Sequence, residues 1–193
     1  MTNNTTIETY TGQMFDLLDP QPCMIVATDI IVSLSRICRF NGHCKYFYSV
    51  AEHTVWVTEE TSKLSGQGDI DRLVKLAVLH DAAEAYVGDL CRPIKRLVPE
   101  FHRVEWRILN AIFERFDFIP TSKEWEIIHK IDDTVLLEEA RILMPSKGID
   151  WRENRDSSEM RLSLDCWQPE DAAVQLRTVF RDVFWEIKDY VSA

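Results

Sequence analysis

The sequence predicts an all-α fold, and three observations support that prediction. Apolar residues recur at helical spacing along most of the chain, whereas strand-like alternation is weak. Glycine (6) and proline (7) are scarce, and no internal repeat or low-complexity tract is visible. A chain of 193 residues that is 46% hydrophobic can bury one sizeable core but is short for two domains. We therefore expect residues 1–193 to form one helical bundle.

Charge and cysteine content limit the expected partners and compartment. A formal net charge of −10 disfavours broad electrostatic binding to a nucleic acid polymer or an anionic membrane. No apolar run reaches membrane-spanning length, and the first residues lack the basic and apolar segments of a signal peptide. The five cysteines are odd in number and contain no Cys-x-x-Cys pair, which indicates free thiols in a reducing cytosol. We expect a cytoplasmic protein with a small-molecule ligand.

The first elements predict an arm, a helix and a tight turn. Residues 1–22 are expected to be an irregular N-terminal arm, and residues 24–37 have the apolar spacing of a helix. Asn41-Gly42 then signals a turn, with Arg39 and His43 on either side of it. Spacing alone favours a surface arginine and a capping histidine, and a substrate-binding loop is the alternative.

The next helix carries a histidine on its apolar face. Ser49 and Glu52 fit a capping box, which marks the start of a helix. His53 lies on the same face as Val50 and Val57. By itself, such a histidine is more often a hydrogen-bonded core residue than a metal ligand.

Residues 76–95 are the most informative stretch. They predict a helix that is apolar nearly all round in its first half and ends near Gly88. His80, Asp81 and Glu84 share one face of that helix. Burying these groups without partners costs roughly several kcal/mol, so a divalent metal and a polar substrate are the expected partners.

A cationic cluster follows this helix. Asp89 lies in the loop, and Arg92, Lys95 and Arg96 come directly after it. Cations so close to the His-Asp pair suit phosphate oxygens. The dipole of a helix C-terminus accounts for one or two of them without any ligand.

Two more features complete the second half of the chain. Thr121 and Glu124 fit a second capping box, and Pro169 starts a last helix whose broad apolar face packs on the core or on a neighbouring subunit. Residues 146–168 are expected to be a long loop or flap. Within the helix that Thr121 begins, either Asp132 or Asp133 is expected to face inward. Surface positions are the default for three acids of this helix, Asp133, Glu138 and Glu139.

His53, the pair His80-Asp81 and an aspartate near position 132 resemble the H…HD…D signature of the HD-domain phosphohydrolase superfamily. Longer runs resemble its small phage and prophage branch, which includes YfdR-type proteins: residues 34–43, 47–53 and 79–86. The spacing is also similar to bacterial deoxynucleoside 5′-monophosphatases and phage dATP triphosphohydrolases. The resemblance extends roughly over residues 9–184 and implies a single HD domain with a metal site in its core.

The resemblance also implies a metal site. His53, His80, Asp81 and Asp132 would bind one divalent metal, of which zinc, manganese, cobalt, iron or magnesium are candidates. Relatives often have a lysine three residues before the fourth ligand. If Lys130 is that lysine, the fourth ligand is Asp133 instead. We prefer Asp132 because it lies seven residues before Glu139, on the same helix face.

The same resemblance implies roles for five other residues. Glu84 matches a catalytic acid or base, and Asp89 matches a residue that holds the deoxyribose or orients the nucleophile. Arg39 and Lys95 match positions that contact phosphate, and His43 lies in the same substrate loop as Arg39.

The expected function is hydrolysis of deoxynucleotides. A metal-dependent dNTP triphosphohydrolase, with dATP among its candidate substrates, would release deoxynucleoside and triphosphate in the cytoplasm of a phage host. A 5′-nucleotidase acting on deoxynucleoside monophosphates, a different HD chemistry and a non-catalytic metal-stabilised nucleotide sensor are the alternatives. Three aromatic residues are candidates for the base pocket, namely Phe40, Trp56 and Tyr86. A homo-oligomer is expected.

Overall fold

A computed structural model describes residues 5–66, 68–151 and 160–185 and confirms the predominantly α-helical fold. Its one small sheet, within those residues, pairs β1 (Thr6–Glu8) with β2 (Met14–Asp16) in an antiparallel hairpin. The helices that the structure describes are α1 (Ala27–Arg36), α2 (Val50–Ser62), α3 (Ile70–Leu79), α4 (Glu84–Val87), α5 (Arg92–Leu97), α6 (Pro99–Arg115), α7 (Ser122–Leu143) and α8 (Pro169–Val183).

The N-terminal arm is more ordered than the sequence predicts. Its hairpin turn is held by Asp29, a buried residue at the start of α1. The Asp29 carboxylate accepts hydrogen bonds from the Thr9 hydroxyl (2.8 Å), the Thr11 amide (2.7 Å) and the Thr11 hydroxyl (2.9 Å). Strands of three residues are too short to show alternation, so this hairpin depends on a contact made later in the chain.

Helix α2 lies at the centre of the fold and packs against α1, α3, α7 and α8. Three of its threonines are buried, and each hydroxyl donates to the carbonyl four residues earlier. The distances are 2.9 Å for Thr54, 2.8 Å for Thr58 and 2.7 Å for Thr61. These bonds satisfy the hydroxyls, which lets a helix with polar residues be buried on several faces.

The predicted capping box at the start of α2 forms only in part. The Ser49 side chain accepts a hydrogen bond from the Glu52 amide (3.1 Å), as a helix N-cap does. The fully buried Glu52 carboxylate instead accepts hydrogen bonds from the amides of Asp165 (3.0 Å), Cys166 (2.9 Å) and Trp167 (2.8 Å). It therefore fixes the end of the predicted flap to α2.

The other expectations for the C-terminal half have separate outcomes. The predicted capping box of Thr121 and Glu124 forms with both of its hydrogen bonds at the start of α7. Part of the predicted flap, residues 152–159, lies outside the described residues, as does Ile187, which helical spacing places on the apolar face predicted for the last helix. The described part of that face packs on α1, α2 and α3 of the same chain.

In the described part of the chain, no helix combines the length and the apolar character needed to cross a membrane.

The predicted helix over residues 76–88 is interrupted at its most polar point. Helix α3 ends at Leu79. In the turn that follows, backbone hydrogen bonds join residues three apart, as in a 3₁₀-helix; the Glu84 amide, for example, donates to the Asp81 carbonyl (3.0 Å). The His80 Nδ1 lies 2.6 Å from the Ala77 carbonyl oxygen. A continuing α-helix would use that carbonyl for the Asp81 amide, so the imidazole competes with the backbone and the helix ends.

Glu52→Ala is expected to destabilise the protein, because it leaves three backbone amides without their acceptor. Each orphaned amide costs about 1–3 kcal/mol, so we expect the free energy of unfolding to fall by about 3 kcal/mol or more in urea denaturation. Glu59→Ala is the control, since Glu59 is exposed on the same helix. An equal effect of both substitutions would show that Glu52 does not anchor residues 165–167.

Candidate functional site

Four predicted metal ligands converge from three parts of the fold: His53 of α2, His80 and Asp81 of the turn after α3, and Asp132 of α7. The His53 Nε2 lies 3.5 Å from Asp81 Oδ2 and 3.2 Å from Asp132 Oδ1. The His80 Nε2 lies 3.3 Å from the same Asp81 oxygen. Donor atoms of His53, His80 and Asp81 all lie within 4.8 Å of one another, a spacing that can hold a metal ion.

Both imidazoles use Nδ1 for a structural contact and direct Nε2 to the shared space. The His80 Nδ1 is 2.6 Å from the Ala77 carbonyl, which can only accept, so this nitrogen carries a proton. The His53 Nδ1 is 2.6 Å from Glu139 Oε1. Within the described residues, neither Nε2 has a hydrogen-bond partner although both are buried. Second contacts of this kind orient histidines that bind metals.

The electrostatics of this space favour a positive charge. Burial and the Arg39 charge lower the pKa of His53, but Glu139 and Asp132 outweigh them and raise it to about 9. Burial raises the pKa of the Asp81 carboxyl, yet the cationic surroundings, chiefly His80, hold it well below its usual range. Carboxylate oxygens facing imidazole nitrogens need a proton or a metal cation between them, and this N/O set fits a divalent metal.

Asp132 and Asp133 have different surroundings, although both contact the Arg92 guanidinium. One oxygen of Asp132 faces His53, and the other accepts a hydrogen bond from Arg92 at 2.9 Å. Asp133 is paired with the same guanidinium, and its side chain is 39% exposed, against 17% for Asp132. The structure brings Asp132 to the histidines. Metal coordination by Asp132 stays a prediction.

Arg39 is buried beside the predicted metal ligands rather than on the surface. Its guanidinium lies 3.2 Å from Glu139 Oε2 and 3.8 Å from Asp81 Oδ2. Burial opposes the charge of Arg39, but Glu139, Asp89 and Asp81 raise the pKa of the guanidinium above its usual value. Arg39 is buried and its side chain lines the cavity described below, so the surface position that spacing alone favours for this residue is wrong.

Glu138 and Glu139 also contradict the expectation of surface positions. Glu139 is fully buried and Glu138 is 5% exposed. Glu138 pairs with Arg141 at 2.9 Å, whereas Glu139 contacts His53 and Arg39. One sequence feature could have indicated that Glu139 faces inward: it lies seven residues after Asp132, and this spacing places both acids on one face of a helix.

Glu84 lies at the edge of the ligand cluster and is held by Lys95. The Lys95 ammonium donates to Glu84 Oε1 (3.1 Å) and to Glu105 Oε1 (2.6 Å). Within the described residues, the other Glu84 oxygen is buried without a hydrogen-bond partner. Burial, followed by the charges of Asp81 and Asp89, raises the pKa of Glu84 well above its usual range, against the effect of Lys95. A raised pKa favours the protonated form of such a carboxyl.

A cavity of about 740 Å³ adjoins these groups. This volume is in the range of small-molecule sites, which is about 300–1,000 Å³. Burial raises the pKa of the Asp89 carboxyl in its wall, and His43 is exposed at the rim. The predicted site residues that line this cavity are Arg39, His43, Asp81, Glu84, Asp89, Lys95 and Asp132.

Of the three aromatic candidates for a base pocket, Phe40 lines the cavity, whereas Trp56 and Tyr86 do not. Phe40 lines the cavity together with Trp151, whose ring centroid is 6.0 Å away. Tyr86 stacks on Phe15 in the core at 4.0 Å, and neither Tyr86 nor Trp56 is part of the cavity wall. Trp151 had no sequence signal, because it belongs to the predicted flap and reaches the site only through the fold.

Asp132→Ala is expected to lose metal, whereas Asp133→Ala is expected to retain it. Asp132 presents an oxygen to His53 at 3.2 Å, whereas Asp133 is the more exposed acid and pairs with Arg92, so the Asp132 substitution deletes a predicted ligand rather than a surface charge. The measurement is metal content by elemental analysis after dialysis, with both variants checked for folding by circular dichroism. Full metal content in Asp132→Ala contradicts the assignment.

Metal affinity is also expected to rise with pH. A proton on the His53 Nε2 competes with a metal, and the pKa of His53 in the metal-free protein is raised to about 9. Below that value each bound metal displaces a proton, so the apparent Co²⁺ affinity should increase roughly tenfold per pH unit between about pH 7 and 8.5. Chelator competition at each pH measures it, and a flat profile contradicts the expectation.

Comparisons with known proteins found uncharacterized relatives. The chain is 40% identical to the uncharacterized protein YfdR of Escherichia coli K12 over 114 residues, which are 59% of this chain and 60% of that protein. It is 38% identical to an uncharacterized protein of Rhodobacter capsulatus over 109 residues, 54% of this chain and 55% of that protein. The chain thus spans little more than half the length of these curated relatives. No family model matches the chain.

Proposed function

We propose that this protein is an HD-domain phosphohydrolase that uses a divalent metal to hydrolyse deoxynucleotides. The observation that carries the proposal is the convergence of His53, His80, Asp81 and Asp132 beside a cavity lined by Arg39 and Lys95. The first group suits a metal, and the two cations suit the phosphate that the metal would bind.

The metal would lower the pKa of a bound water and polarise a phosphoryl oxygen. The chain's own residues supply the rest of the proposed chemistry. Arg39 is held against Glu139 and Asp81, so its guanidinium is preorganised to offset charge on a phosphate. Lys95 keeps its contact with Glu105 while it lines the same cavity.

Glu84 is the proposed proton donor. Its pKa is raised, mainly by burial, and a raised pKa favours the protonated carboxyl that a proton donor needs. It can then donate the proton to the departing deoxyribose oxygen. Asp89 lines the cavity beside it and is the proposed contact for the sugar.

Deoxynucleoside triphosphates are the first candidate substrates, with dATP among them. The cavity wall contains more cationic side chains than one phosphate needs: Arg39, Arg92, Lys95 and Arg96. A 5′-nucleotidase acting on deoxynucleoside monophosphates is the second candidate, because one phosphate beside the metal needs only Arg39 and Lys95. A binding-only sensor would not need a buried carboxyl with a raised pKa, which supports an enzyme.

The substrate class is tested by incubating Mn²⁺- or Co²⁺-loaded protein with a panel of dNTPs, dNMPs and ribonucleotides. The expected result is triphosphate together with deoxynucleoside, separated by ion-exchange chromatography. Orthophosphate from dNMPs indicates the 5′-nucleotidase instead. Absence of turnover with any substrate and metal contradicts both enzymes and supports the sensor.

Glu84→Gln is expected to keep its metal and to lower kcat by about 10²–10⁴-fold, because it removes the proton but not the shape of the donor. Glu126→Gln is the matched control, since Glu126 is exposed on α7. Full activity of Glu84→Gln would rule out the proposed proton transfer.

A further inference from the structure

Glu139 is a buried acid that contacts two functional groups at once. Its Oε1 lies 2.6 Å from the His53 Nδ1 and accepts a hydrogen bond from the Tyr48 hydroxyl at 2.8 Å. Its Oε2 lies 3.2 Å from the Arg39 guanidinium. Glu139 is fully buried and does not line the cavity, so substrate cannot reach it.

We infer that Glu139 is a positioning residue that aligns the metal-facing imidazole of His53 and the phosphate-facing guanidinium of Arg39. The inference rests on the proposed metal and phosphate site and adds the group that joins its two halves. One carboxylate on α7 thus orients a side chain of α2 and a side chain of the loop before it.

The effect on His53 follows from the direction of its ring. With Nδ1 donating to Glu139, the His53 Nε2 lone pair is left for the cluster that contains Asp81 and Asp132. A carboxylate behind an imidazole fixes its orientation and increases its basicity as a ligand. Mutations of such outer partners typically cost about 10–100-fold in metal affinity.

The effect on Arg39 follows from its burial. A buried guanidinium requires an anionic partner, and Glu139 lies nearer to Arg39 than Asp81 does, at 3.2 Å against 3.8 Å. The Glu139 contact therefore sets where Arg39 meets the cavity. Asp81 is less suited than Glu139 to hold Arg39 in place, because the Asp81 oxygen nearest to Arg39 also faces the two histidines.

A carboxylate is required at position 139 because all three neighbours can donate hydrogen bonds. His53 Nδ1–H, the Tyr48 hydroxyl and the Arg39 guanidinium surround two acceptor oxygens. A glutamine has almost the same shape, but its amide nitrogen is a donor. Glu139→Gln therefore turns one favourable contact into a donor facing a donor and removes the charge.

The test compares Glu139→Gln with Glu138→Gln. Glu138 is the neighbouring buried acid on the same helix, but it pairs with Arg141, so it controls for the loss of one negative charge. Co²⁺ titration followed by visible absorption should give a dissociation constant about 10–100-fold higher for Glu139→Gln and nearly unchanged for Glu138→Gln. Inorganic phosphate, titrated into each protein saturated with Co²⁺, should bind more weakly only to Glu139→Gln.

A second measurement uses the wild-type protein and does not depend on the folding of a variant. In the Zn²⁺-loaded protein, NMR should show the His53 Nδ1–H proton far downfield and protected from exchange, as a buried hydrogen bond to a carboxylate requires. A His53 Nδ1–H resonance at the ordinary position overturns the inference, whatever the variants do.

The outcomes separate this inference from the proposed function. If Glu139→Gln binds Co²⁺ and phosphate as the wild type does, Glu139 is not a positioning residue, although the hydrolase proposal stands. If Co²⁺ affinity falls but phosphate binding does not, the shared role is overturned. If both fall while the wild type hydrolyses no nucleotide, the inference holds and the proposed substrate is wrong.

Discussion

The contact between His53 and Glu139 ties the central helix α2 to α7, and the rest of the site depends on it. A carboxylate in a dry interior is stable only when cations and hydrogen-bond donors surround it. Glu139 therefore requires Arg39, Tyr48 and His53 to stand where they do. Since Arg39 and Tyr48 belong to the loop before α2, the same requirement positions that loop over the cavity.

Neighbouring carboxyls in this site have opposite protonation preferences. Asp81 lies among His80, His53 and Arg39, and these groups hold its pKa well below the usual range. Glu84, three residues later in the chain, is buried beside Asp81 and Asp89, and its pKa is well above the usual range. One carboxyl is thereby suited to remain an anionic ligand and the other to hold a proton. Environments that separate two carboxyls in this way are common where acid–base chemistry occurs.

Much of the helical fold could be predicted, because apolar spacing and the N-caps at Ser49 and Thr121 are local signals. The hairpin at residues 6–16 and the interruption at His80 could not. The hairpin depends on Asp29, and the interruption depends on an imidazole that takes a backbone acceptor. Both outcomes come from side-chain contacts that periodicity does not record.

The buried acids show the same limit at the site. Glu52 has the spacing of a capping residue, yet its carboxylate binds the amides of residues 165–167, more than 100 positions away. Glu139 looks like a solvated acid next to Glu138, and only the packing of α7 on α2 decides that it is buried. The identity of a charged residue does not specify whether its partner is water or protein.

The sequence by itself determined the helical character and the candidate residues, since residue types and short spacings are properties of the chain. It placed His80, Asp81 and Glu84 together because residues three and four apart share a helical face. The tertiary structure alone decided that Arg39 is buried and that Glu139 joins Arg39 to His53. Those choices depend on the direction in which each helix turns its side chains, which only the packing of one element against another can set.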